Sequence, residues 1–76
     1  MNKARRKLLA EIKNSLEILK GSLEEVHDDE ESAMDNIPES MQDTDRYYAM
    51  EDAVNNMDDA LSSIEDAIDY IESAME

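Results

Sequence analysis

Residues 47–74 read YYAMEDAVNNMDDALSSIEDAIDYIESA, one heptad written four times, and this period admits little other than a long packed helix. With Tyr47, Val54, Leu61, Ile68 and Met75 at position a, the residues Met50, Met57, Ile64 and Ile71 fall at d. Apolar residues then alternate three and four apart without a break, which returns them to one side of an α-helix. Ala53, Ala60, Ala67 and Ala74 all fall at g, Glu51, Asp58, Glu65 and Glu72 at e, and Asp52, Asp59 and Asp66 at f. A face spanning a, d and g is wider than a two-stranded seam and suits a helix with more than one neighbour. Alanine at every g lets a neighbouring backbone approach closely.

The first half carries the same period. Leu9, Leu16 and Leu23 take a, while Ile12, Leu19, Val26 and Ala33 take d. The phase runs unbroken across Gly21-Ser22, although Lys20-Gly21 could end a helix and Ser22 to Glu25 reads as a capping box. Glycine inside a helix costs only about 1 kcal/mol against alanine, so the preserved phase predicts one continuous helix over residues 3–34.

Between the two periodic segments stands DNIPESMQDT, residues 35–44. Asn36 can cap a short turn with Pro38 in its first turn and Glu39 reaching back, and Asp43 or Thr44 can cap the next helix. The segment has no glycine, so it reads as a built turn that reverses the chain, with Ile37 and Met41 closing the end of the core. The expected fold is all-α: a single helical hairpin, with helices at about 3–34 and 44–75 and the turn at 35–44. Each helix is roughly 32 residues, or ~48 Å, long. One hairpin cannot bury a three-position face on each of two helices, whereas two hairpins can. The expected assembly is a homodimer forming a four-helix bundle through the seam Leu9, Ile12, Leu16, Leu19, Leu23, Val26, Met50, Val54, Met57, Leu61, Ile64, Ile68 and Ile71.

Charge limits the partners. The formal net charge is −14, distributed as +4 over residues 1–20, −9 over residues 21–44 and −9 over residues 45–76. Such a surface repels nucleic acid and anionic lipid and attracts basic protein surfaces. Antiparallel packing would set Lys3, Arg5, Arg6 and Lys7 near Asp66, Asp69, Glu72 and Glu76. The longest apolar run, Leu8-Leu9-Ala10, is far short of the roughly 20 residues of a membrane span. The basic start has no apolar stretch after it, so a secretory signal is not expected. There is no Cys, hence no disulfide and no thiolate metal site, and a cytoplasmic setting fits.

No catalytic constellation emerges. His27 is the one histidine, and it reads as a solvated helix position beside Asp28-Asp29-Glu30-Glu31. That run lacks the glycine of an EF-hand loop. Bundle di-metal sites use two Glu-x-x-His pairs, and only Glu24 to His27 matches. No metal site and no cofactor are expected, and the chain reads as a non-enzyme, with a metal-binding bundle as the remotest alternative.

The stretch from Asp35 to Gln42, with Thr44-Asp45-Arg46 ahead of acidic heptads, resembles a group of small acidic helical-hairpin proteins encoded in phages and mobile elements of Gram-positive bacteria. The likeness covers roughly the last 45 residues, and Asn-x-Pro-Glu is its distinctive part. It implies a bacterial host cytoplasm as the setting. The likeness implies that setting rather than a mechanism. By analogy with small acidic phage proteins, the expected function is inhibition of a host defence or nucleic-acid enzyme through a basic surface, with nucleic-acid mimicry as one form. The carboxylates expected to meet that partner are Glu51, Asp52, Asp58, Asp59, Glu65, Asp66, Asp69 and Glu72. The alternative is a structural or adaptor bundle that only oligomerises.

Overall fold

The computed structural model describes residues 1–76. Helix α1 spans Lys3–Asp35, a single 3-10 turn spans Glu39–Met41, and helix α2 spans Asp45–Met75. The helices lie antiparallel in a rod of 59 × 15 × 13 Å. There are no strands, and no helix is long and apolar enough to cross a membrane.

Each end of the hairpin is closed by side chains. Asn2 caps α1, its Oδ1 accepting the Arg5 N–H at 2.8 Å. Inside α1 the Ser22 hydroxyl donates back to the Ile18 carbonyl at 3.3 Å, so it opens no new helix, and the helix continues through Gly21. Asn36 does not cap the short turn. It ends α1, with its N–H bonded to the Ser32 carbonyl at 3.1 Å, and Pro38 takes the position before the 3-10 turn. Thr44 caps α2 by accepting the Tyr47 N–H at 3.3 Å while its hydroxyl donates to the Met41 carbonyl at 2.9 Å. Ile37 is half-buried beneath this turn, whereas Met41 points outward.

Only Val54 and Ile68, both at a on α2, are buried, at 5% and 8% exposure. Around them Tyr47, Leu61, Met75 and the d residues Met50, Met57, Ile64 and Ile71 are half-buried. The α1 seam splits in two. Leu9, Leu16 and Leu23 face α2, but Ile12, Leu19 and Val26 remain 49%, 58% and 57% exposed. The cause is the rotation of α1, which turns its a and e positions toward α2, so that Lys13, Lys20, His27 and Met34 at e are half-buried in place of d. Two cylinders share one line of contact, and a third apolar row on either helix falls outside it.

Candidate functional site

The half-buried e positions of α1 explain the e carboxylates of α2. Lys13 Nζ lies 2.8 Å from Glu72 Oε1, Lys20 Nζ lies 2.9 Å from Glu65 Oε1, and His27 Nε2 lies 2.7 Å from Asp58 Oδ1. Both sides advance by seven residues, so the antiparallel helices meet as a ladder of three rungs. Lys13 and Lys20 each reach a second glutamate one turn on, Glu17 at 3.9 Å and Glu24 at 3.8 Å. Both lysines are held above their usual pKa, chiefly by the hydrogen bonds to Glu72 and Glu65, with desolvation pulling the other way.

His27 is not the solvated residue expected at this position: its side chain is 12% exposed. Nδ1 sits 3.0 Å from Asp28 Oδ1, and Glu31 stands 3.9 Å from Nε2. The approach of Nε2 to Asp58 is close but not aligned as a hydrogen bond, so opposite charge rather than a directed bond holds it. The His27 pKa is raised by the hydrogen bond with Asp28 first and then by the charges of Asp58 and Glu31, against partial desolvation. No group of three or more His, Asp or Glu side chains converges in a metal-holding arrangement.

The basic arm does not form the ion pairs expected of it. Of Lys3, Arg5, Arg6 and Lys7, only Arg6 crosses to α2, and its Nε donates to the Met75 carbonyl at 3.0 Å, closing the end of that helix. The cations that meet carboxylates of α2 are Lys13, Lys20 and His27, whose shared seven-residue spacing was the available signal.

The eight acids expected to meet a partner therefore divide. Asp58, Glu65 and Glu72 are rungs of the ladder. Glu51, Asp52, Asp59, Asp66 and Asp69 are exposed and make no ion pair. Among these, Asp52, Asp59 and Asp66 recur every ~10.5 Å along one side of α2. Tyr70, 76% exposed, stands one residue past Asp69 and one turn past Asp66. This aromatic was not among the residues singled out from the sequence; its position outside a, d and g was the signal for exposure. At the turn, Tyr48 donates its hydroxyl to Asp43, a bond that raises the phenol pKa.

No protein-family profile, curated protein or solved structure matches this chain.

Proposed function

We propose that this chain is a non-enzymatic protein-binding module that presents the acidic side of α2 to a basic protein surface. The observation that carries the reading is the division of the carboxylates. The ladder takes Asp58, Glu65 and Glu72 of the e row, whereas Glu51, the f row and Asp69 remain unpaired, the last two beside an exposed tyrosine. Tyrosine is among the residues enriched where interface binding energy concentrates. The setting implied by the turn resemblance makes an inhibitor carried by a phage or mobile element the specific form of the proposal, acting in a bacterial cytoplasm on a defence or nucleic-acid enzyme.

Literal mimicry of DNA has weaker support. A net charge of −14 along 59 Å is one charge per ~4.2 Å, and two hairpins side by side reach one per ~2.1 Å, against one per roughly 1.7 Å for duplex DNA. The proposed active unit is a pair of hairpins in a four-helix bundle. The adaptor reading, in which the bundle only oligomerises, is favoured by one observation: the exposed row Ile12, Leu19 and Val26.

The test is affinity capture from host lysate at low salt with two baits, the wild-type chain and the Asp52→Asn, Asp59→Asn, Asp66→Asn, Asp69→Asn variant. A basic protein held by the first, released by salt and not held by the second is expected. Equal capture by both baits would refute the acidic surface and leave the adaptor reading.

A further inference from the structure

We propose that a second copy of this chain covers the exposed row of α1, with the two α1 helices antiparallel and crossing at Leu19. The inference rests on the pairing of hairpins proposed above and specifies its face and direction.

The row is a second seam. Leu8, Ile12, Ser15, Leu19, Ser22 and Val26 follow one another at spacings of four and three, all exposed. They lie on the side of α1 away from the charge ladder, toward the edge of α2 that carries the alanines at g. The large members are 49–58% exposed, too apolar and too regular a set for a solvent face.

A compact monomer of 8.7 kDa exposes about 4,700 Å². This hairpin, drawn out into a rod 59 Å long, exposes 5633 Å², and the excess leaves surface for a second copy to cover.

Charge sets the direction. Residues 1–20 carry +4, whereas residues 21–35 of α1 hold seven acids and no Lys or Arg. A parallel pair would set like on like at both ends, and an antiparallel pair sets the basic half of each helix on the acidic half of the other. The first turn of α1 holds no acid and its last turn no base, both unfavourable to the helix dipole. An antiparallel copy supplies both. Symmetry then sets the register. Leu19 is midway between Ile12 and Val26 and at the centre of Lys3–Asp35, so a two-fold axis there pairs Leu19 with itself and Ile12 with Val26 of the other copy over the full helix.

The chain has no cysteine, so single introduced thiols report directly. Sedimentation of the wild-type chain should give twice 8.7 kDa, and Leu19→Asp should give one chain mass with its helical circular dichroism intact. Under oxidising conditions Leu19→Cys should link to itself. Ile12→Cys and Val26→Cys should not link alone but should link when mixed. A wild-type monomer would overturn the pairing itself. A dimer in which Leu19→Cys fails to link, or Ile12→Cys links to itself as readily, would overturn this face or direction and leave the pairing standing.

Discussion

His27 and Asp58 form the only rung of the inter-helix ladder whose cation can discharge near neutral pH, with Nε2 2.7 Å from Oδ1. Asp28 and Glu31 flank the imidazole from its own helix and Asp58 faces it from α2, so every charged neighbour of this ring is an anion. The folded-state pKa lies above 6.5. The stability contributed by the charged ring is therefore full below about pH 6.5 and is lost as pH rises through the raised value. His27→Gln should be less stable than the wild type at about pH 6, with the gap closing as pH rises through the raised value. Thermal unfolding of both chains across that range checks this, and a gap independent of pH would show that the ring is not charged in the fold.

Lys20 and Glu65 should behave as a matched pair. Lys20→Glu sets two acids together and should lower the unfolding temperature, as should Glu65→Lys beside Lys20. The double swap should recover the cross-helix part of the loss, the remainder being the lost Lys20–Glu24 pair. Added salt should shrink all three differences, because the rung lies at the surface.

Gly21 is exposed within α1, and a Cβ built there meets nothing within 4 Å. Its backbone is helical, so alanine fits without strain and removes freedom from the unfolded chain. Gly21→Ala should add about 0.5–1 kcal/mol, read as a rise of several degrees in unfolding temperature.

Ile68 and Ile18 give an internal comparison on one residue type. Ile68 is 8% exposed and Ile18 is 71% exposed. Ile68→Ala should cost about 2 kcal/mol or more, a large share of the stability of so small a fold. Ile18→Ala should stay within about 0.5 kcal/mol. Urea titrations measure both, and equal losses would mean that Ile18 is covered in the assembled state.

The repeat of residues 47–74 already dictates α2, because the a, d and g apolar rows admit one helical face and Thr44 supplies its cap. The unbroken phase through Gly21 likewise dictates α1. Its rotation was not legible. Leu9, Leu16 and Leu23 can be flanked by either the d row or the e row, and apolar count favours d. The tie is broken by Lys13, Lys20 and His27, a pattern that acquires meaning only once the helices are antiparallel and the e acids of α2 stand opposite. For the same reason Glu65 and Glu72 read as free surface, and His27 as solvated, in the linear chain. Asn36 was ambiguous because one residue can end one helix or begin the next turn, and only the path of the chain decides.

The ladder has a further property, set by its period. Slide α2 by one heptad and Lys13 meets Glu65, Lys20 meets Asp58 and His27 meets Glu51, while every apolar row still finds an apolar row. The count of rungs and the matching of apolar rows therefore cannot tell this hairpin from that displaced one. The segment from Asn36 to Thr44 can, because its proline and two caps fix where one helix stops and the next starts. The turn is the molecule's ruler, and a seven-residue change in its length would reset the alignment of a rod that is otherwise indifferent to it.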